Sequence, residues 1–448
     1  MRIAVVGGGL TGLVAALEAG SRGAEVVVFE ASERPGGKIH TTPFGRGWFE
    51  HGPDAFLARD EVPLELCRRV GLGDALTHPA VFGAVVAHRG HLYPLPKETL
   101  MGFPTSPRAI RGSPLLSPLG RARALLEGAR VRPLRGDDVS VARFARKRFG
   151  RQVLDTFVDP IMAGTRAGDI EEMSLAAAAP EVDRHARMSP SLLRLGPVAP
   201  PMAVVTPEAG GPAFTAPRGG MSRLIEAIVE HLDAVEVRLG TPVEEIVAEA
   251  REVTVNGETF DHSIVTTPSH VTARMVRAPE AAALLHSIDH ASAAVLNLVF
   301  APDALDLPDE GSGLLVPAKE REVVSGATWA TRKWPSVRPQ DGSEIVRCFV
   351  GREGREPALD LDDGDLADHV LEDLGRFIEL TGAPRLVDVA RWDRGMPQYK
   401  VGHLRLVDAI DAALPPGVVV AGCDLRGSGI PDCIKQAFKA VDRALPPS

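Results

Sequence analysis

Three observations in the sequence predict an α/β fold. Residues 3–6, Ile-Ala-Val-Val, form a short β-branched apolar run. Glycines follow at once, and a helical apolar pattern then runs from Leu10 to about Arg22. Residues 25–30, Glu-Val-Val-Val-Phe-Glu, read as a second buried strand. A strand, a helix and a strand within about 30 residues form a parallel crossover unit. Short parallel strands covered by helices belong to an α/β layer of Rossmann-like type. Downstream patterns add a mixed-sheet second domain and a helical insertion.

The remaining elements follow in order. Residues 62–72 read as a helix, and 81–93 as a hairpin turning at His88-Arg89-Gly90-His91. From 94 to 195 strand signals fade into an Ala-, Arg- and Leu-rich stretch with Pro breaks, a helical insertion whose residues 101–118 read as a loop. Residues 196–220 are rich in Pro and Gly and read as a connector. Residues 221–232 are helical, and strands are expected at 235–238, within 243–265, at 291–300 and at 344–350. Helices are expected at 365–380 and 432–445, the latter preceded by a strand, Val418-Val419-Val420-Ala421. The nucleotide-binding domain therefore draws on 1–80, 221–275 and 415–448, and the second domain on 81–93 and 276–414.

With 448 residues the chain makes two to four structural units. The net charge of −9, without a block of like charges, points away from nucleic acid as a partner. Cys67, Cys348, Cys423 and Cys433 form no CxxC pair, and the histidines show no HExxH spacing, so no metal site is predicted. No run reaches the roughly 18–20 apolar residues of a membrane span, and the first residues lack a signal-peptide pattern. These features predict a cytoplasmic protein.

The chemistry-bearing motif is Gly7-Gly8-Gly9-Leu10-Thr11-Gly12. GxGxxG is weak alone, but here it follows a strand and opens a helix. Gly7 permits the tight turn, Gly9 lets the backbone approach a pyrophosphate, and Gly12 lets the helix pack on the strand. The free N–H groups at the helix start face the phosphates. Glu30 ends the second strand, where its carboxylate can accept hydrogen bonds from ribose hydroxyls. Near the C-terminus, Gly427-Ser428-Gly429-Ile430-Pro431-Asp432 leads from a strand into a helix that Asp432 can cap.

Arg34-Pro35-Gly36-Gly37-Lys38, followed by Gly47-Trp48-Phe49-Glu50-His51-Gly52-Pro53, resembles the amine oxidase and phytoene desaturase superfamily of flavoproteins. That resemblance implies FAD. The cofactor residues it implies are Gly7, Gly9, Leu10, Thr11, Gly12, Glu30, Arg34, Gly36, Gly37, Lys38, Gly52, Pro53, Asp54, Val243, Gly422, Gly429 and Ile430. A helix N-terminus at the flavin N1–C2=O edge would stabilise the reduced, anionic flavin.

A narrower resemblance covers nearly the whole chain. Glu50 to Leu57, Tyr93-Pro94-Leu95-Pro96, Met101-Gly102-Phe103-Pro104-Thr105, Ala167-Gly168-Asp169, Lys333-Trp334-Pro335, Arg347 to Gly351, Met396-Pro397-Gln398-Tyr399 and Gly429 to Ile434 are similar to the protoporphyrinogen/coproporphyrinogen oxidase family. The Met-Gly-Phe-Pro-Thr and Lys-Trp-Pro pieces resemble the branch that acts on coproporphyrinogen III. The resemblance implies a tetrapyrrole substrate that loses three pairs of hydrogens to the flavin, with molecular oxygen as acceptor and hydrogen peroxide as product. The flavin carries the chemistry, so no catalytic side chain is singled out. An apolar disc bearing propionates calls for cations, and Arg suits a carboxylate best. The candidates are Arg59, Lys97, Arg166, Lys400 and Arg426, with Gly164 facing the substrate. Arg166 stands where the family usually has an aromatic ring, Ser428 where it has Val, Cys423-Asp424 where it has small residues, and Ala437 where it has Gly. Arg166 is expected to meet a substrate propionate or to pair with Asp169 or Glu171. In related proteins the insertion can bind membranes; the acidic net charge points away from that here. Protoporphyrinogen oxidation, a flavin desaturase or amine oxidase, and a non-catalytic FAD-binding porphyrin handler stand as alternatives.

Overall fold

The computed structural model describes residues 1–130, 132–196, 214–249, 252–353 and 357–446. Most of the expected connector, 197–213, therefore lies outside the described residues. The chain opens with strand β1 (Arg2–Val6), helix α1 (Leu10–Ser21) and strand β2 (Glu25–Phe29). Strand β3 (Gly47–Glu50) closes a short hairpin, and β4 (Val85–His88) and β5 (His91–Pro94) form a second. A helical stretch follows, including α2 (Val141–Arg148) and α3 (Asp159–Arg166). The chain then supplies β6 (Val235–Arg238), β7 (His262–Val265), β8 (His290–Phe300), β9 (Gly313–Leu315), β10 (Val324–Trp329), β11 (Glu344–Val350) and β12 (Leu386–Pro397). It ends with β13 (Val418–Val420) and α4 (Ile430–Ala444).

One sheet is wholly parallel, in the order β6-β2-β1-β7-β13. Its central strands are buried on both faces, which is why they read as continuous apolar runs rather than alternating ones. α1 and α4 pack together over it. In α4 the apolar residues recur at helical spacing and bury one stripe, Ile430, Cys433, Ile434, Ala437, Ala440, Val441 and Ala444. The second sheet is mixed, in the order β12-β8-β11-β10-β9-β4-β5, with only the β9–β4 pair parallel. The insertion has its own core around Phe103, Phe144, Phe149 and Phe157.

Two local expectations are corrected. The expected loop at 101–118 contains a helix, Pro107–Arg111, which Ser106 caps by accepting from the Arg108 N–H. The helix expected over 365–380 spans Asp363–Leu374; Gly375 ends it, and a short strand, Glu379–Leu380, follows.

Where the two sheets meet, charged groups are buried. The Asp54 carboxylate takes Lys333 Nζ at 2.7 Å and Trp334 Nε1 at 3.2 Å, with Arg347 at 3.7 Å. Burial alone would raise its pKa, but the two cations override that and hold it at about 2. Asp54 thus ties the loop after β3 to Lys333, Trp334 and Arg347 of the second domain. Glu50 sits beside it on β3, accepting from the Met221 N–H at 2.7 Å and the Thr41 hydroxyl at 2.8 Å. No cation is within ion-pair distance of it among the described residues, and burial pushes its pKa up to about 7. A carboxyl that ionises near 4.5 when unfolded and near 7 when folded loses stability as pH rises through that window. Glu50→Gln removes the titration while keeping the shape. It is expected to stabilise the protein at pH 8, by on the order of 3 kcal/mol, and to change little at pH 5. Thermal denaturation at both pH values checks this; an equal effect at both would contradict it.

Candidate flavin site

At the C-terminal edge of the parallel sheet, β1 runs straight into Gly7, whose φ is +105°. A side chain there would be strained and would strike Thr266 Oγ1. A Cβ on Gly12 would lie 1.9 Å from the Gly7 carbonyl oxygen, so only glycine lets α1 rest on β1. Gly9 is different. It is the N-cap of α1, and a Cβ there would meet nothing within 4 Å. The open side of the turn is therefore at Gly9, in front of the helix N-terminus. The first backbone bond across the cap runs from the Leu13 N–H to the Gly9 carbonyl, leaving the N–H groups of Leu10, Thr11 and Gly12 without helical partners.

Other segments close around this opening. Gly36 N–H donates to the Gly8 carbonyl at 2.8 Å, and Gly37 lies against Gly9. Gly52 approaches so near the Lys38 carbonyl that a Cβ would be 1.9 Å from its oxygen, with Pro53 next in the loop. The Glu30 carboxylate is fixed by the Gly8 N–H at 2.6 Å and by the Ser32 N–H and hydroxyl at 2.8 and 2.7 Å. The loop after β6 zips onto the same corner through Thr241 N–H to the Glu30 carbonyl, and Val243 lies two residues on. Arg34 braces the segment that carries Gly36 and Gly37. It donates to the carbonyls of Pro35, Gly37 and Ile39, and so fastens the loop.

The last segment arrives through β13. Gly422 follows the strand with φ +133°, and Gly429 and Ile430 start α4. Gly429, not Asp432, is the N-cap of α4; Asp432 stands at the third helical position, and its carboxylate reaches back to the Gly429 N–H, the return half of a capping box. Ala437 is fully buried in the packed face of α4.

Of the expected substrate cations, most are committed elsewhere. Arg59 is exposed and paired with Glu181 at 2.9 Å. Lys400 is held by Glu172, Asp289 and Glu353 at 2.7–2.9 Å. Arg426 is exposed and paired with Asp408 and Asp411. Lys97 is exposed. Gly164, on α3, faces Leu315 and Ser325 of the mixed sheet, which a Cβ there would approach to 3.9 Å. Arg166 alone of these cations points inward, to Ser428.

The sequence singles out Lys38 and Cys423-Asp424, but not the histidines that join them in a buried cluster beside β13. His290 Nε2–H donates to Asp424 at 2.6 Å, the Ser269 N–H donates to the same carboxylate at 2.7 Å, and the Cys423 thiol donates to it at 3.2 Å. Lys38 Nζ lies 3.4 Å from Cys423 Sγ. Burial by itself would raise the Asp424 pKa, yet His290 and Lys38 hold it well below the carboxylate range. His270 packs edge-on to His290, and burial with that neighbour lowers its pKa to about 4. The two histidines lie far along the chain from Lys38 and Cys423, so no local motif marks them.

The flavin containing amine oxidoreductase model matches residues 10–445. The chain belongs to the flavin-containing amine oxidoreductase family. As a member of that family it is an oxidoreductase that uses a flavin. The chain is 32% identical to the coproporphyrinogen III oxidase of Bacillus subtilis, over 99% of this chain and 97% of that one. It is 33% identical to the enzyme of the same name from Mycobacterium bovis, over 98% and 96%. Among solved structures, a protein assigned as a protoporphyrinogen oxidase, from Exiguobacterium sp. 255-15, superposes with a TM-score of 0.85 at 28% identity, covering 98% of each chain. The residues present fit the family's cofactor. The open space at Gly9, the helix N-terminus behind it and the fixed acceptor of Glu30 make a cradle for a nucleotide. No helix among the described residues is long and apolar enough to cross a membrane.

Proposed function

We propose that this flavoprotein binds FAD and oxidises coproporphyrinogen III to coproporphyrin III in haem biosynthesis, with molecular oxygen as acceptor. The observation that carries the reading is the likeness to coproporphyrinogen III oxidases along essentially the full length of both chains. The dinucleotide, rather than a smaller flavin, is supported by Glu30, whose anchored carboxylate is suited to the ribose of an adenosine half. When bound, the flavin supplies the hydride acceptor and passes the electrons on. The N–H groups at the start of α1 would hold the pyrophosphate, and Gly429 with Ile430 would face the flavin ring. The proposed division of labour assigns 1–80, 221–275 and 415–448 to the cofactor and 81–93 with 276–414 to the substrate. The insertion, 94–195, would close one wall of the substrate space through Gly164. The reading places the protein in the cytoplasm, which cell fractionation tests.

Coproporphyrinogen III carries four propionates and protoporphyrinogen IX two. The purified protein in air is expected to give a higher kcat/KM for the former, followed by porphyrin fluorescence. Equal values, or a preference for protoporphyrinogen IX, would move the chain to the activity suggested by its Exiguobacterium neighbour. No turnover of either, with flavin bound, would leave a porphyrin-handling protein.

A further inference from the structure

Arg166 is the last residue of α3, and its half-buried side chain reaches toward Ser428. Nη2–H donates to the Ala178 carbonyl at 2.8 Å and Nη1–H to Ser428 Oγ at 3.2 Å. Nε–H is buried and has no partner. The guanidinium lies 5.7 Å from the centre of the Tyr399 ring. Among the described residues no carboxylate lies within ion-pair distance of it. The two acids near it in sequence are turned elsewhere: Glu171 pairs with Arg146, and Asp169 faces Arg352 at 4.0 Å. Every group that Arg166 touches is neutral, and Asp432 acts on its charge only from beyond ion-pair distance, so that charge is incompletely compensated. A cation in that condition is costly unless an anion joins it.

The surroundings say where that anion would lie. Ser428 immediately precedes Gly429, the N-cap of α4, a fifteen-residue helix. Its N-terminus adds partial positive charge at the same point. Tyr399, under the guanidinium, holds the loop leading there, donating to the Cys423 carbonyl and accepting from the Gly427 N–H at 3.2 Å. Arg166 is thus built into the segment that would receive the cofactor, while Gly164, on the same helix, faces the mixed sheet.

We infer that Arg166 is an electrostatic positioning residue for the flavin: with the N-terminus of α4, it stabilises the negative charge that the pyrimidine end of the ring gains on reduction, and so raises the flavin's reduction potential. This rests on the flavin site proposed above. A substrate carboxylate offers the same chemistry from another source, and the test separates the two.

The experiment uses the flavin-loaded protein, its Arg166→Gln variant and its Arg166→Lys variant. Flavin content is measured first by absorbance; a wild-type protein that carries no flavin overturns the site and this inference together. Sulfite is then titrated. Its sulfur lone pair adds to flavin N5, the displaced electron pair moves into the pyrimidine ring, and the ring acquires the charge that Arg166 is proposed to meet. Arg166→Gln is expected to bind sulfite at least tenfold more weakly. A tenfold change in a two-electron equilibrium corresponds to a fall of about 30 mV in midpoint potential. Arg166→Lys should recover most of both, and KM for the porphyrinogen should stay within about twofold, since substrate does not lose a contact. A loaded Arg166→Gln protein with unchanged sulfite affinity and potential overturns the inference; if its KM rises instead, the anion belongs to the substrate. Should Arg166→Gln lose its flavin, Ser428→Ala keeps the charge but frees its anchor. That variant is expected to weaken sulfite binding about threefold, the cost of a modest hydrogen bond, and unchanged binding would count against the role.

Discussion

Gly9→Val is expected to yield a folded protein without colour. The backbone at Gly9 is extended, with φ −72° and ψ 178°, a conformation open to any residue. A Cβ there meets no protein atom within 4 Å, so the cost to the chain itself is chiefly that of a poorer N-cap, about 1 kcal/mol or less. The methyl groups would occupy the space in front of the α1 N-terminus, where the proposed pyrophosphate site lies. The flavin-to-protein ratio should fall at least tenfold, and activity with it, while the melting temperature in the absence of added flavin stays near that of flavin-stripped wild type. Gly12→Ala is the contrasting control. Its Cβ would lie 1.9 Å from the Gly7 carbonyl oxygen, so helix and strand must separate. That variant should lose about 1–3 kcal/mol of stability, as overpacked sites do. A yellow Gly9→Val protein with full flavin content would remove Gly9 from the cofactor site.

The same glycines show why some of the fold is legible in the chain. A doubly buried strand cannot alternate, so Ile3–Val6 and Val26–Phe29 stand out as apolar runs, and the turn between strand and helix admits only small residues at Gly7 and Gly12. β12 is not legible for the opposite reason. It carries Asp388, Arg391, Asp393 and Arg394, charged residues that read as surface loop. Asp388 bonds to Asn297 on the adjacent β8, and Arg391 to Asp363. What looks like loop chemistry is a strand whose charges are answered by neighbours distant in sequence.

Site residues divide along the same line. Those defined by backbone shape, the glycines and the strand-ending Glu30, sit together where spacing puts them. Those defined by charge cannot be placed without partners. Asp54 reads as a cofactor neighbour in the sequence, and nothing there shows that its charge is paired with Lys333, 279 residues away. Lys400 and Arg426 read as free cations, and acids from other elements hold them. Arg166 is visible as an unusual residue, but the direction of its side chain depends on Ser428, Ala178 and Tyr399, which only the folded chain assembles.

The insertion that carries Arg166 is itself fastened by one buried ion pair, and Glu127→Ala is expected to loosen it severely. The side chains of Glu127 and Arg148 are 0% and 3% exposed, 2.8 Å apart. The Glu127 carboxylate also accepts from the Ser191 hydroxyl at 2.7 Å and from the N–H groups of Leu192 and Leu193 at 3.0 and 3.3 Å. Arg148 projects from α2, rests on Phe144 and donates to the Pro190 carbonyl. One carboxylate therefore joins two central stretches of the insertion to its end. Replacing it with alanine strands a buried guanidinium and three further donors, and removing one partner of such a pair costs about 3–5 kcal/mol. The pair's net worth is smaller, because both charges were desolvated to make it. Glu127→Leu combined with Arg148→Met, which leaves no buried charge, should consequently be less destabilised than Glu127→Ala alone, though Ser191 and the two N–H groups still lack their acceptor. Thermal denaturation, with hydrogen exchange over residues 118–195, reads both variants: the exchange increase should be confined to the insertion and spare β1, β2 and β7. A loss below about 1 kcal/mol in Glu127→Ala, or a double variant less stable than the single one, would show that the insertion does not depend on this pair.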